Sequence, residues 1–448
     1  MSFARKGILV SASRLMQILI GMLATVLFAR ILHKDGIGQY DLFYRVSLLA
    51  VTVAAMGFGN ASVFFINNQK IPRIQVATDA LKFSSVMGLV LSAAMGLSYL
   101  AFKNYFGAIS VPTGVIYALG TGAMLVAVLM RASLVANFRA REMAVLDVLQ
   151  PTVLLLCGGA LAVTKHLTTE SAMIVFILGH AVTGVVTLFY VGGDIHLALP
   201  FDWQLFKKMI SYGLKLAAAN LLYLLLASLS VMLLRYIHED SFDAVGLYGR
   251  AMNVTLMTVL VPMAMGPLLM ARWAGLSGQG MAHQVEMAAR LFATYGAAAA
   301  VAMSVLGKLL LTLLYTREFA TPEAVRSLQI LSISAATIAV SGVYADFLAG
   351  MGKAIYTTLS LTAAAIVTGV LCLCLIPKYW ITGAAVATLA GNVVNLCICA
   401  IVCRRLYGVR PSHSWRLTGE DVRYVWRSLF RRSGAAEQPT EEKLTILP

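Results

Sequence analysis

Charged side chains are scarce in this sequence. Only 12% of its 448 residues are Asp, Glu, Lys or Arg, whereas soluble domains carry about twice that fraction. Hydrophobic residues make up 59% of the chain, and the mean hydropathy is +0.81. The apolar runs are also too long and too numerous to be the core of a soluble protein. This composition excludes a water-soluble protein and indicates a polytopic membrane protein.

Catalytic motifs are lacking as well. The sequence contains no Walker-type nucleotide loop, no nucleophile elbow and no HExxH zinc motif. The predicted loops are each shorter than about twenty residues, too short to fold as an independent domain. We therefore expect a protein that is not an enzyme and that has no cofactor.

Acidic residues are fewer than basic ones, 20 against 35, which gives a formal net charge of +15. No soluble domain displays this excess, so we do not expect nucleic acid as a partner. Most of the charge is expected to set topology and to contact anionic lipid headgroups. The six cysteines do not indicate a disulfide or a metal site, because Cys374 and Cys397 lie about 25 Å apart in depth at 1.5 Å per residue.

The apolar runs predict about twelve membrane-spanning helices, since each is near the length needed to cross a hydrocarbon core of about 30 Å. Lys and Arg favour the loops on the side of the N-terminus, and a basic tail follows the last run, so both termini are expected in the cytoplasm. The predicted spans lie roughly at residues 8–30, 40–65, 80–102, 113–137, 145–164, 170–192, 209–235, 244–271, 289–315, 326–351, 356–376 and 380–402.

One segment is repeated. Residues 30–45, RILHKDGIGQYDLFYR, match residues 235–250, RYIHEDSFDAVGLYGR, without a gap. Unrelated windows of this length would share about one identity. Six predicted spans separate the copies, which predicts two six-helix lobes related by a pseudo-twofold axis along the membrane normal. The identical pairs are Arg30/Arg235, His33/His238, Asp35/Asp240, Leu42/Leu247 and Arg45/Arg250.

The repeat also predicts the domain organisation of this all-α membrane protein. Residues 1–192 form an N-lobe with spans 1–6, and residues 209–402 form a C-lobe with spans 7–12. Residues 193–208 are predicted to be a cytoplasmic interfacial linker. Residues 403–448 are predicted to be a basic amphipathic cytoplasmic tail, which either lies on the inner leaflet or only sets topology. Two such lobes leave a cavity at their interface, where transporters of this design bind their cargo.

Ionised side chains inside the spans need a reason, because each costs about 2.5–3.5 kcal/mol at mid-bilayer on insertion scales. Arg45 and Arg250 share one depth towards the outer side. A cavity lined by cations suits an anion, and the planar fork of arginine matches phosphate oxygens. We therefore predict a cationic inter-lobe cavity that binds an anionic substrate. The predicted substrate-binding residues are Arg14, Arg45, Arg131, Lys215, Arg250 and Lys308.

Other interpretations stay open for these charges. Each cation can instead reach its headgroups by snorkelling, above all Arg131 and Lys308. Asp346 can pair with a cavity cation such as Arg14 or Arg131, or titrate as a site that couples transport to H+ or Na+. Asp41 and Asp147 are expected near helix starts, where they can reach headgroups. We predict no metal site, because two ligands in an exposed loop are a weak signal.

Three segments resemble the polysaccharide-transport, or Wzx-like oligosaccharide flippase, branch of the MOP transporter superfamily. They are RKGILVSASRLMQILIGMLATVLFARILHKDGIGQYDLFYRVSLLAVTVAAMGFGNASVFF at 5–65, RASLVANFRARE at 131–142 and DWQLFKKMISYGLKLAAANLL at 202–222. Lys215 departs from this pattern, since such proteins often have proline after YGL. The resemblance implies a bacterial inner-membrane protein that flips an undecaprenyl-pyrophosphate-linked oligosaccharide to the periplasmic leaflet by alternating access.

The resemblance also implies roles and partners. The related lipid II flippases of the MurJ type have pyrophosphate-binding arginines in helices 1, 2 and 8, where this chain has Arg14, Arg45 and Arg250. Those proteins usually have fourteen spans, so twelve favour the Wzx-like interpretation. A MATE-type drug/ion antiporter is the competing class, for which only Asp346 offers an acidic site; a non-transporting scaffold is a third. Expected partners are the lipid-linked glycan, membrane lipids and polysaccharide polymerase or assembly proteins.

Overall fold

The computed structural model describes residues 3–69, 71–137, 139–274 and 281–410. These residues are helical almost throughout, which confirms the predicted all-α fold class. The predicted tail lies outside them from residue 411 onwards. The helices of the described residues are α1 (Phe3–Ala55), α2 (Phe58–Asn68), α3 (Arg73–Ala101), α4 (Lys103–Phe106), α5 (Val111–Ala136), α6 (Ala140–Val163), α7 (Thr169–Val191), α8 (Trp203–Ile237), α9 (Asp243–Leu256), α10 (Leu260–Ala274), α11 (Met281–Leu314), α12 (Pro322–Gly350) and α13 (Ala354–Tyr407).

In the described residues, 10 helical segments are long and apolar enough to cross a membrane. Two of them are too long for one crossing: Ala12–Ala55 has 44 residues and Ala354–Tyr407 has 54, or roughly 66 and 81 Å at 1.5 Å per residue. Each is divided by a kink at a residue with left-handed backbone, His33 (φ 57°) in α1 and Trp380 (φ 54°) in α13. Counting these two segments twice gives about twelve crossings, as the sequence predicts.

An even number of crossings brings the start of α1 and the end of α13 to the same side of the membrane. We call this side the terminal face and the opposite side the distal face. Large apolar side chains cover the outside of the helices between the two faces; Val163 and Phe189, for example, are each 84% exposed. Such exposure is expected where the surrounding solvent is lipid. The chain is therefore a multi-pass membrane protein.

Helix α11 begins two turns before the predicted span 289–315, at Met281. The hydropathy pattern missed these turns because they contain Glu286 and lie directly before Arg290. Both side chains are buried in the structure, 8% and 4% exposed, and Glu286 accepts a 2.6 Å hydrogen bond from the backbone N–H of Arg410. Polar groups with partners inside the protein can thus extend a helix beyond its apolar run.

The eighth crossing is interrupted near its middle. A 3₁₀ turn at Met257–Val259 separates α9 from α10. Pro262 follows this turn and cannot donate the backbone hydrogen bond that would continue a regular helix. The turn lies where α9 borders the central cavity described below.

The two halves of the chain meet closely at the end of the second crossing. Gly57, with φ 68°, starts α2 at a break after α1. Its Cα lies against the backbone of Gly213 in α8, and any side chain on either glycine would overlap the other backbone. Nearby, the rings of Phe64 and Tyr212 stack with centroids 4.3 Å apart. Small residues thus allow α2 and α8 to approach, while the exact lobe boundaries stay a prediction.

The predicted linker follows α7 and packs against α3. Asp202 caps α8, since its carboxylate accepts hydrogen bonds from the backbone N–H groups of Gln204 and Leu205 at 3.0 and 2.9 Å. Phe206 contacts Phe58 and Phe83 of the first half. The linker is therefore anchored to the first half of the chain by packing and by hydrogen bonds from Gln75 and Lys82 to its carbonyls, and to α8 by the Asp202 cap.

On the distal face, Arg235 near the end of α8 reaches into the first half of the chain. Its residue surface is 2% exposed. Its guanidinium donates to the backbone carbonyls of Asn104 and Tyr105, the latter at 2.7 Å. The same group lies 3.8 Å from the ring centroid of Phe242, a cation–π contact. Arg235 thus binds backbone groups that would otherwise be unpaired in the membrane.

Arg30 makes the equivalent contact from the first half of the chain. Its guanidinium donates to the carbonyls of Leu313 and Leu314, the last residues of α11. Carbonyls at a helix C-terminus lack partners within the helix and favour a positive charge. Because Arg30 and Arg235 are equivalent in the repeat, each fastens its own half of the chain to the other.

Three further contacts join the halves beside these arginines. We call these contacts, together with those of Arg30 and Arg235, the distal latch; it closes the distal face in this structure. The three are an ion pair of Lys34 with Asp243, a 3.1 Å contact of His33 Nδ1 with the Glu318 carboxylate, and a 2.7 Å hydrogen bond from the Phe242 N–H to Asp35.

Removing Arg235 should destabilise the protein. In Arg235→Ala, the carbonyls of Asn104 and Tyr105 lose a charged donor, and hydrogen bonds to charged groups contribute about 1.5–3 kcal/mol each. We expect the free energy of unfolding to fall by about 3 kcal/mol, visible as a lower thermal midpoint in detergent. Lys308→Ala, at an exposed position, is the control and should change it by less than about 0.5 kcal/mol. Equal midpoints for both variants would show that the latch contributes no stability.

Candidate functional site

A cavity of about 370 Å³ lies between the two halves of the chain, near the middle of the membrane. Its walls combine apolar side chains with a few polar ones, the usual character of a ligand site. Residues of α1, α6 and α7 line it from the first half, and residues around the α9–α10 break line it from the second. The polar lining residues are Gln17, Thr25, Tyr40, Asp41, Tyr44, Arg45, Gln150 and Asn253.

Arg45 is the cation in the wall of this cavity. Its residue surface is 9% exposed. One terminal nitrogen donates to the backbone carbonyl of Ala227 at 3.0 Å, and the other lies 3.6 Å from the sulfur of Met252. Its Nε has no partner, and within the described residues no carboxylate forms an ion pair with it. A buried guanidinium with spare donors is therefore available to an anion.

Arg250, the repeat partner of Arg45, is instead neutralised. It is fully buried, and its guanidinium donates to both carboxylate oxygens of Asp41. It also approaches the backbone carbonyl of Thr25 at 3.4 Å and the ring centroid of Tyr315 at 5.5 Å. Asp41 lies in α1 and Arg250 in α9, so this ion pair crosses from one half of the chain to the other. The two repeat-related arginines therefore differ in their partners: Arg250 has a carboxylate partner, whereas Arg45 has none among the described residues.

The expectation that Asp41 reaches headgroups is wrong. Asp41 is 5% exposed and lies in the membrane interior beside Arg250. Gly249 leaves room for it, because a Cβ at Gly249 would overlap Oδ2 of Asp41. The spacing of Asp41 and Arg45, one helical turn apart in α1, was a usable signal that a carboxylate shares this face with the cavity cation.

Asp147 is also buried rather than near headgroups. It is 2% exposed, forms an ion pair with Arg131 and accepts a 2.9 Å hydrogen bond from the hydroxyl of Ser13. Arg14 is exposed and interacts electrostatically with Arg131. Two cations and one carboxylate therefore meet on the terminal half of the first lobe, where they leave one net positive charge.

Lys215 and Lys308 lie apart from the central cavity. Both residues are exposed. Lys308 shares its face of α11 with Val305 and Leu309, which are 75% and 60% exposed. A lysine among membrane-facing apolar residues fits the snorkelling alternative. Lys215 lies near the terminal end of α8, between the terminal face and the central cavity.

Asp346 lines a second cavity, of about 490 Å³, within the second half of the chain. Amide side chains share it: Asn220 from α8, and Asn392 and Asn395 from α13. Asp346 is half-buried and has no ion pair or hydrogen bond among the described residues. The alternative in which it pairs with Arg131 is wrong, because Arg131 pairs with Asp147.

A family model described as "Polysaccharide biosynthesis protein" matches residues 3–270 of the chain. No curated protein sequence gives a significant match. The family model covers more than half of the chain, including the segments 5–65, 131–142 and 202–222 that carry the resemblance in the sequence.

Solved transporters share the fold. A lipid II flippase MurJ in an inward closed conformation superposes with a TM-score of 0.72 at 12% identity, over 89% of this chain and 87% of that one. An inward-facing multidrug resistance MATE transporter of the MOP superfamily gives 0.73 at 12% identity, over 89% and 99%. A MOP superfamily transporter from Pyrococcus furiosus with a binding pocket of reversed polarity gives 0.66 at 13% identity, over 89% and 95%.

These likenesses give the chain the fold of MOP superfamily transporters, and the family and the matched proteins agree with the prediction that it is not an enzyme. The predicted resemblance is confirmed by the family model and by this fold. The protein belongs to the polysaccharide biosynthesis protein family.

Proposed function

We propose that this protein flips an anionic undecaprenyl-pyrophosphate-linked oligosaccharide from the cytoplasmic to the periplasmic leaflet by alternating access. The observation that carries the proposal is the buried guanidinium of Arg45 in the cavity wall, which has no carboxylate partner among the described residues. A buried charge without a counter-ion is costly. An anionic ligand offsets this cost, whereas a cationic drug adds to it. The family and the transporter fold support the same class of function.

The Asp41–Arg250 pair supports a link between binding and movement. With Asp41 and Arg250 neutralising each other, Arg45 gives this part of the cavity one net positive charge. A pyrophosphate group carries more than one negative charge, so it can bind Arg45 first and then compete with Asp41 for Arg250. Releasing Asp41 would remove an ion pair between the halves, and a ligand shifts a conformational equilibrium through such differential contacts.

The cavity is large enough for the pyrophosphate head of the substrate but too small for its glycan. About 370 Å³ lies at the lower end of small-ligand sites, which run from about 300 to 1,000 Å³. This space suits a pyrophosphate and not an oligosaccharide. The glycan therefore requires the halves to move apart, as alternating access implies.

The terminal face is proposed to be the cytoplasmic face of the bacterial inner membrane, because basic residues concentrate in its loops. Arg14 and Arg131 bring one uncompensated positive charge to the terminal half of the first lobe. Lys215 is an exposed cation at a similar depth in the second lobe. These cations would attract the anionic head on its way to Arg45. Lys308 is not needed in this path.

Asp346 is proposed to couple transport to an ion gradient. Its carboxylate shares a cavity with the amides of Asn220, Asn392 and Asn395. Carboxylate and amide oxygens suit a hard cation such as Na+, and a half-buried carboxylate without a counter-ion can also take up a proton. The same cavity favours a second candidate function, a MATE-type drug/ion antiporter. A lipid II flippase would use Arg45 as the proposed function does and differ in the glycan.

Replacing Arg45 tests the anion site. In Arg45→Ala, the pyrophosphate loses a charged donor, which is expected to weaken binding about 10- to 150-fold. We expect export of the surface glycan to be lost while the protein reaches the membrane at its normal level. The measurement is surface glycan by gel, with the amount of membrane protein by immunoblot.

The matched variants sharpen this test. Arg45→Lys keeps the charge but not the planar fork and should retain part of the export. Lys308→Ala, on the membrane-facing side of α11, should leave export unchanged. Normal export in Arg45→Ala would refute the site, and loss of export in Lys308→Ala would show that the assay reports general damage.

Replacing Asp346 tests the coupling site. Asp346→Asn keeps the shape of the side chain and removes its charge, so it should abolish the response of transport to an imposed pH or Na+ gradient. The measurement is flipping of a fluorescent polyprenyl-pyrophosphate glycan in proteoliposomes, with and without each gradient. Asn220→Asp is the companion variant, since it places a carboxylate in the same cavity. An unchanged gradient response in Asp346→Asn would contradict the assignment.

A further inference from the structure

An apolar groove of about 900 Å³ opens on the membrane side of the seam between the two halves. One wall is formed by α1 and α3 of the first half, and the other by the last turns of α8 from the second half. Val53 and Val90 on the first wall are 54% and 56% exposed, and Tyr236 on the second wall is 61% exposed. The groove is therefore concave, accessible from the lipid and shared between the halves.

The groove lies in the distal half of the membrane. Met87, its deepest residue on α3, is in the middle of that helix (Arg73–Ala101). Phe102 and Tyr236 line it at the distal ends of α3 and α8, and Glu239 marks its rim. Most of the lining therefore lies in the distal half of the membrane, and the groove extends from the distal face towards Met56 at the end of α1.

The groove and the central cavity use different faces of the same helix. Asp41 and Arg45 of α1 line the cavity, whereas Val46, Ala50 and Val53 line the groove. At 3.6 residues per turn these two sets point about 125° apart. Arg45 also donates to the carbonyl of Ala227 in α8, so it bridges the two helices whose distal turns form the groove. The anion site and the lipid-accessible groove thus lie on neighbouring faces of one helix.

The chemistry of the lining restricts the occupant to a hydrocarbon chain. Two hydroxyls along the walls are already used: Tyr105 donates to the carbonyl of Met232 at 3.1 Å and Ser98 to that of Met95 at 2.9 Å. Tyr236 and Glu239 lie at the distal rim. Sugars would lose hydrogen bonds to water here without replacement. Methionines such as Met87 and Met95 adapt to chains of irregular shape.

We propose that this groove holds the isoprenoid chain of the transported lipid in the distal leaflet while its pyrophosphate is at Arg45. This inference rests on the proposed function and deepens it. A substrate whose head occupies the cavity must keep its chain in the membrane, and the groove is lipid-accessible, lies on the lobe seam and adjoins the Arg45 wall. Because its walls belong to different halves, movement of the halves would reshape it and release the chain.

Photocrosslinking tests the occupant. The full-length protein, with a photoreactive phenylalanine at Val53, is placed in phosphatidylethanolamine–phosphatidylglycerol vesicles that contain undecaprenyl pyrophosphate. Val305 on α11, which is 75% exposed on a membrane-facing surface, is the control position. We expect polyprenyl adducts at least about fivefold more often at Val53 than at Val305. Phospholipid adducts at both positions without polyprenyl enrichment would overturn the proposal.

Filling the groove tests its role in transport. Ala94→Trp places an indole in the groove, and Ala302→Trp places one on an exposed face of α11. We expect glycan export to fall at least about tenfold in Ala94→Trp only, with equal membrane levels and unchanged binding of the short-chain probe geranyl pyrophosphate. If Arg45→Ala abolishes export and Ala94→Trp does not reduce it, the groove is wrong and the proposed function stands. If Arg45→Ala exports normally, the proposed function itself fails.

Discussion

The ion pair between Asp41 and Arg250 is the constraint on which the rest of the interface depends. Burying two charges costs solvation that their attraction only partly returns, so such a pair is weak evidence for stability. Removing one partner, however, leaves a buried charge with no counter-ion, so the pair fixes how the two halves fit together. It also removes Asp41 and Arg250 from the cavity's charge balance. Arg45 is left as its uncompensated cation.

The remaining contacts make the distal and terminal sides of the interface different. On the distal face, Arg30 and Arg235 bind backbone carbonyls of the opposite half. On the terminal half, Arg14 and Arg131 present positive charge with only Asp147 to offset it. A closed distal face and a cationic terminal half are what an anionic lipid arriving from the terminal face requires. Polar contacts that hold one side shut thus leave the other side to receive cargo.

The sequence was sufficient to predict the approximate number of crossings, because hydropathy reports which segments are long and apolar enough to span a membrane. It was insufficient to predict rotation about each helix. Arg45 and Arg250 therefore looked equivalent, although only one has a carboxylate partner. For the same reason, Lys308 was grouped with the cavity cations although it faces lipid. Contacts such as those of Arg30 are made to backbone carbonyls, and every residue has one, so the sequence does not show where such contacts form.

The most direct test of this account is the distance between the two halves on the distal face. Spin labels at His166 and Arg326, both exposed, report it by double electron–electron resonance in a background without the six native cysteines. We predict one short distance in the free protein and a longer second population with undecaprenyl pyrophosphate, which Arg45→Ala abolishes. Two results would contradict an interface that opens when it binds an anion. One is a distance distribution that undecaprenyl pyrophosphate does not change; the other is the same change in Arg45→Ala as in the unmodified protein.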